Sequence, residues 1–306
     1  MLSHLAAWLS LAAFLGLAVP SVRRWGEAWV QRTGWPSALL LLLPYLLAAA
    51  LSAPVVDILR VLAYLLVPTA IVHWAQPRGK ASWGALLAGL TIWFPLEPEL
   101  FLLPWGGKVA GPWHWFMLPE VSAPLAGDLS LPIAKMTGVL LALYLFLLYR
   151  PLEGIGYTAR LTRRDGSLAL RGLGMFMVAG VPVGFALRFL TWVPHWPGLG
   201  QALPALLAIY LFTGIPEELL FRGVFQNAFR RWFGEEGGLV VAAVVFGLSH
   251  LDNATPGHPV PNAAYALMAT LAGLAYGWVW RRSGKITAAA LTHALVDWLW
   301  WLLFGG

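Results

Sequence analysis

The sequence predicts an all-α polytopic transmembrane helix bundle of about ten spans, with both termini outside. Three observations predict it. Hydrophobic residues make up 59% of the 306 positions and charged residues 11%, less than half the roughly 25% of a soluble domain. Apolar runs of about spanning length recur from end to end. The basic residues then fall almost entirely on one side of those runs.

Taken in order, the runs centre in 3–20, 36–53, 55–75, 82–104, 133–149, 168–192, 201–221, 238–251, 262–280 and 286–304. No Lys or Arg precedes the first run, and Arg23 and Arg24 follow it, so it reads as an uncleaved span and not a signal peptide. Pro95, Glu97, Pro98 and Glu99 interrupt the fourth, which reads as broken or re-entrant. The eighth is short, as suits a helix that stops at a polar site.

With the N-terminus outside, the inside loops hold Arg23, Arg24, Arg32, Arg78, Lys80, Arg150, Arg160, Arg163, Arg164, Arg171, Arg230, Arg231, Arg281, Arg282 and Lys285, fifteen of the twenty basic residues. The outside loops hold Lys108 and Lys135; Arg60, Arg188 and Arg222 fall in or beside spans. Shifting the count by one span would destroy this asymmetry. The net charge of +6 therefore sets orientation and is no sign of nucleic-acid binding. The absence of cysteine excludes disulfides, thiolate nucleophiles and Cys-ligated metals.

The segment 150–167, with Gly154, Gly156 and the turn Arg163-Arg164-Asp165-Gly166, reads as an inside linker. It divides the chain into an N-terminal five-span region, 1–150, a cytoplasmic linker, 151–167, and a second five-span core, 168–306. The longest outside segment, 105–132, carries Trp105, Trp113, Trp115 and Phe116 as interfacial anchors. His4, His73, His114, His195 and His258 lie at span ends or in loops and read as structural, and Asp57 and Arg60 read as a pair on one helix face.

Chemistry concentrates in the last four spans. Pro216-Glu217-Glu218-Leu219-Leu220-Phe221-Arg222-Gly223 puts two acids and an arginine at membrane depth, where charge is expensive. Glu218 and Arg222 are four apart on one helix face and can neutralise each other. Glu217, about 100° around the helix, is left free to face a cavity, where a glutamate with restricted hydration suits a general base. Gly214 and Pro216 open the helix locally. Phe246-Gly247-Leu248-Ser249-His250 ends the eighth run, with Phe246 and His250 on one face and small residues admitting a neighbouring helix. On the last span His293 and Asp297 again lie four apart. A lone intramembrane His, or a lone Glu–Arg pair, fits helix-to-helix hydrogen bonding equally well. The convergence of all six residues is what marks a site.

Glu-Glu-x-x-x-Arg at 217–222, Phe-x-x-x-His at 246–250 and His-x-x-x-Asp at 293–297 resemble the CAAX-protease and bacteriocin-processing (Abi) family of intramembrane endopeptidases. The match covers roughly 168–306, and the first five spans carry no motif of that family. The resemblance implies that Glu217 is the general base that activates water, that His250 helps hold that water, that Glu218 and Arg222 support them, and that His293 and the residue at 297 stabilise the oxyanion. Many members have Asn at that last position. An ionised Asp297 cannot donate to an oxyanion, so either it is protonated or it orients His293. The implied partners are the lipid bilayer and a membrane-embedded or lipid-anchored peptide or protein, with no nucleic acid, and the implied setting is a prokaryotic inner (plasma) membrane. No cofactor is expected. A zinc version using Glu217, His250 and His293 is the alternative mechanism, disfavoured by the nearby Arg222 and by the absence of His-Glu-x-x-His. A binding or immunity protein on the same scaffold, without catalysis, and a proton-coupled transporter are the other readings; the absence of a repeated acid pattern in the two halves weakens the last.

Overall fold

Long apolar helices dominate the structure, a computed structural model that describes residues 1–97, 100, 117–126 and 129–305. The sequence readings at Pro98, Glu99, Trp105, Lys108, Trp113, His114, Trp115 and Phe116 lie outside the described residues. The chain divides into two compact units, Met1–Glu153 and Gly154–Gly306.

The first unit runs α1 (Leu2–Leu17), α2 (Pro20–Thr33), α3 (Trp35–Ala48, whose first half is a 3-10 helix), α4 (Val55–Ala75) and α5 (Trp83–Trp93). A short antiparallel hairpin of β1 (Ser122–Ala126) and β2 (Leu129–Pro132) precedes α6 (Ile133–Tyr149), which ends in π-helical turns over Tyr144–Tyr149. The hairpin is a small addition to the otherwise all-α architecture. Asp57 and Arg60 pair at 3.2 Å on α4. The segment after the first run is not the plain loop the sequence reading made of it. Pro20 at the first helical position and Gly34 beyond the last enclose a separate amphipathic helix, α2.

The second unit runs α7 (Arg163–Ala186), a composite helix α8 over 199–226, α9 (Asn227–Leu248), α10 (Ala263–Ser283) and α11 (Ile286–Phe304). The turn read at Arg163–Gly166 is instead the first turn of α7. The Thr162 hydroxyl accepts from the Asp165 amide at 3.2 Å, and the Thr162 amide donates to Asp165 Oδ2 at 2.7 Å, a capping box that starts the helix there. Lys285 Nζ, 2.6 Å from the same Oδ2, ties that start to the α10–α11 connection.

Five helical stretches among the described residues are long and apolar enough to cross a membrane: Val55–Ala75, Arg163–Ala186, Leu199–Leu248, Ala263–Ser283 and Ile286–Phe304. The bent pair α1 and α2 makes a sixth if taken as one span. The ten apolar runs do not all become helices of spanning length. Two stop early: α3 ends at Ala48, just before Ala50 and Leu51 take positive φ, and α5 ends at Trp93, two residues before Pro95. The seventh and eighth runs are continuous in helix but reverse at Gly234, whose φ of +72° lies outside the helical region. A Cβ on Gly238 would fall 2.4 Å from the amide nitrogen of Arg230, eight residues earlier. A straight helix would hold those positions about 12 Å apart.

Close packing of α9 on α10 positions the site. A Cβ on Gly247 would lie 1.9 Å from Thr270 Oγ1 and 2.4 Å from the Ala266 carbonyl oxygen, so only glycine permits this approach. Gly214 does the same for α8 and α11, its Cβ direction reaching the Ala290 carbonyl at 2.9 Å. Replacing Gly247 by Ala is expected to destabilise the protein by about 1–3 kcal/mol through overpacking. Gly174→Ala, on exposed α7 surface with nothing within 4 Å, should not. Thermal denaturation in detergent compares the two, and equal midpoints would contradict the packing described.

Candidate active site

Three stretches of chain bring the six residues together. Glu217 and Glu218 lie in a single α-helical turn, Ile215–Glu218, between π-helical stretches at Tyr210–Gly214 and Leu219–Gln226. A π-turn adds a residue to the helical ring and shifts which side chains share a face; such turns occur often at functional sites.

The floor of the site is a buried ion pair. Glu218 and Arg222 have no exposed side-chain surface, and Arg222 Nη1 donates to Glu218 Oε1 at 3.1 Å, with Nε 3.1 Å from Oε2. Arg222 Nη2 donates to the Gly273 carbonyl on α10 at 3.0 Å. Its guanidinium also lies over the Phe246 ring at 4.6 Å and the Tyr276 ring at 5.4 Å, both favourable for a desolvated cation. Glu218 Oε1 reaches across to His293 Nδ1 on α11 at 2.9 Å. Removing either partner would leave a buried charge uncompensated, at a cost of about 3–5 kcal/mol.

Above this floor the groups turn toward open space. Glu217 keeps 33% of its side chain exposed, and its buried Oε2 has no hydrogen-bond partner; His293 Nε2 lies 3.8 Å from it. Asp297 keeps 30% exposed, with Oδ2 3.3 Å from the same Nε2. Both nitrogens of the His293 ring therefore face carboxylate oxygens, and the ring stacks on Tyr276 at 4.6 Å. His250 lies at the end of α9 with Nδ1 2.9 Å from the Phe246 carbonyl and 3.1 Å from Ser249 Oγ. A carbonyl accepts only, so Nδ1 carries a proton, and in a neutral ring Nε2 is the acceptor.

Glu217, His250, His293 and Asp297 all line one cavity of about 180 Å³. Thr213, Asn253, Tyr265 and Tyr276 add polar edges, and Phe176, Phe189, Met268 and Trp300 are among its apolar walls. Glu218 and Arg222 lie beneath it. The sequence reading missed Tyr276 and the carbonyl of Gly273 that anchors Arg222. The small-x-x-x-small spacing of Gly273 and Gly277 was the available signal, since it marks a helix face that a neighbour approaches closely. Ser249, read as a small contact residue, instead binds back to the Phe246 carbonyl at 2.6 Å.

The histidines read as structural fall outside the cavity lining, as far as they are described: His195 donates its amide to the Leu302 carbonyl at 2.8 Å, and His258 lies against Phe189. Among the described residues, no group of three or more His, Cys, Asp and Glu side chains is arranged to hold a metal ion.

Comparison with curated proteins and with solved structures gives no match for the chain. A family model does match, over residues 199–299, a stretch that contains Glu217, Glu218, Arg222, His250, His293 and Asp297. Over those residues the chain is similar to the type II CAAX prenyl endopeptidase Rce1-like family.

Proposed function

We propose that the protein is an intramembrane endopeptidase that hydrolyses a peptide bond of a membrane-embedded or lipid-anchored protein or peptide, in CAAX-type processing or a related reaction. The observation that carries this reading is the unequal treatment of two adjacent acids. Glu218 accepts from Arg222 and His293 at Oε1 and is wholly buried, whereas Glu217 lines the cavity with a third of its side chain exposed.

The chemistry follows from what each group can donate or accept. Glu217 takes a proton from a water whose position is fixed by a hydrogen bond to the free Nε2 of His250. The water oxygen attacks the scissile carbonyl carbon, and the carbonyl oxygen becomes an oxyanion. His293, with carboxylates facing both nitrogens, is held as a cation whose charge lies where that oxyanion develops; preorganised charge of this kind supplies much of a hydrolase's rate. The tetrahedral intermediate collapses, and the proton held by Glu217 passes to the departing amine. Asp297 orients His293 in this scheme and does not itself donate.

The topology belongs to the same proposal. The asymmetric basic residues and the reversal at Gly234 support ten crossings with both termini outside and Arg230 and Arg231 on the cytoplasmic side of a prokaryotic inner membrane.

Glu217→Gln is expected to lower cleavage by at least about 10²-fold, the lower range for loss of a general base, with insertion and folding intact. Comparison of C-termini across the membrane proteome of cells carrying wild type or Glu217→Gln reads this directly, and identical C-termini in both would sink the protease assignment. Asp297→Ala should cost more activity than Asp297→Asn, because Asn retains a carbonyl oxygen that can accept from His293 Nε2. The reverse order in a purified cleavage assay would mean that Asp297 does not hold His293. Cleavage should persist in the presence of a zinc chelator. Loss that zinc restores would establish the metal-dependent alternative.

A further inference from the structure

The three arginines that follow the first span belong to α2, and α2 does not continue the direction of α1. The two helices meet at 103°, so a chain that crosses the bilayer along α1 turns to run nearly parallel to its surface. Four of the fourteen residues of α2 are charged, Arg23, Arg24, Glu27 and Arg32, which keeps the helix out of the hydrocarbon. At 1.5 Å per residue it lays about 21 Å of helix along that surface.

Its faces are sorted three ways. One side docks on the protein. Gly26 and Val30 are buried, and a Cβ on Gly26 would meet both methyls of Leu148 at 3.6 Å. Gln31 Nε2 fastens this contact by donating to the carbonyls of Leu148 at 2.7 Å and Tyr149 at 3.1 Å, where the π-helical end of α6 leaves them free. A second side is apolar and uncovered: Val22, Trp25 and Trp29 fall within an arc of about 60° by the helical period and are 43%, 71% and 37% exposed. A third side, roughly opposite the tryptophans, carries Arg24, Glu27 and Gln31, while Arg32 flanks the tryptophan arc. Indole rings favour the headgroup boundary, and arginine stems reach from it to phosphate.

We infer that α2 is an interfacial helix that lies on the leaflet where α1 ends, with Val22, Trp25 and Trp29 in the acyl boundary and Arg24 and Arg32 binding anionic phospholipid headgroups. The charge sign selects the partner: α2 carries three arginines against one glutamate, and such a surface is drawn to anionic lipid. This inference rests on the first unit alone and is independent of the catalytic reading.

The cysteine-free sequence makes the test direct. Single cysteines at positions 22, 25, 27 and 29 of the full chain are nitroxide-labelled in vesicles of phosphatidylcholine, alone or mixed with phosphatidylglycerol. Labels at 22, 25 and 29 should relax with lipid-soluble oxygen, and the label at 27 with a water-soluble nickel chelate. Phosphatidylglycerol should deepen the label at 25, and high salt or the paired change Arg24→Gln and Arg32→Gln should abolish that shift. Nickel accessibility at 25 and 29 equal to that at 27 overturns the placement. Protection of 25 and 29 from both reagents does so too, since it points to protein covering that face. A depth at 25 that is the same in both lipids overturns the anionic partner.

Discussion

A glutamate and an arginine four residues apart, both wholly withdrawn from water, hold the site together. Glu218 and Arg222 neutralise each other on one helix, and their remaining valences go outward: Arg222 to the Gly273 carbonyl on α10, Glu218 to His293 on α11. One ion pair therefore links three helices. Taking two charges out of water costs several kcal/mol each, and the pair persists because its geometry, its extra hydrogen bonds and two aromatic faces over the guanidinium compensate that cost.

The pair also determines what its neighbours are free to do. Glu217 points into the cavity because the inward position one residue later is taken. His293 has its ring fixed at one nitrogen by Glu218, flanked at the other by Asp297, and backed by Tyr276. A ring held at three points is not free to rotate, and in the proposed reaction it would meet the developing negative charge already oriented. His250 is fixed separately by the last turn of its own helix, through the Phe246 carbonyl. In the proposed reaction, structural and chemical duties thus fall on different members of one cluster.

Much of that cluster was legible in the sequence because helical spacing is a strong constraint. Residues four apart share a face, so Glu218 with Arg222, Phe246 with His250, and His293 with Asp297 could be paired before any coordinates. Charges in an apolar run draw attention by their cost alone. What stayed hidden depended on contacts between distant segments or on local interruption of regular helix. Tyr276 looks like any aromatic residue in a span until its ring is found parallel to His293. The π-helical turns around Glu217 leave no simple residue signature. Apolar runs are counted by composition, but proline, glycine and capping decide which become full helices, so α3 and α5 come out short and α7 begins five residues before the apolar run that announced it. Arg23, Arg24 and Arg32 were read for their charge, and the helix they occupy was missed because its apolar arc is only three residues wide.

The central claim is that adjacent acids carry separate duties, Glu218 holding the fold and Glu217 left free for chemistry. Chemical denaturation of the purified protein, comparing Glu217→Gln with Glu218→Gln, tests it most directly. The account predicts that Glu218→Gln loses about 3–5 kcal/mol of stability, as expected when a buried pair is broken, and that Glu217→Gln matches or exceeds the wild type. Equal destabilisation by both substitutions, or a fully stable Glu218→Gln, would contradict it.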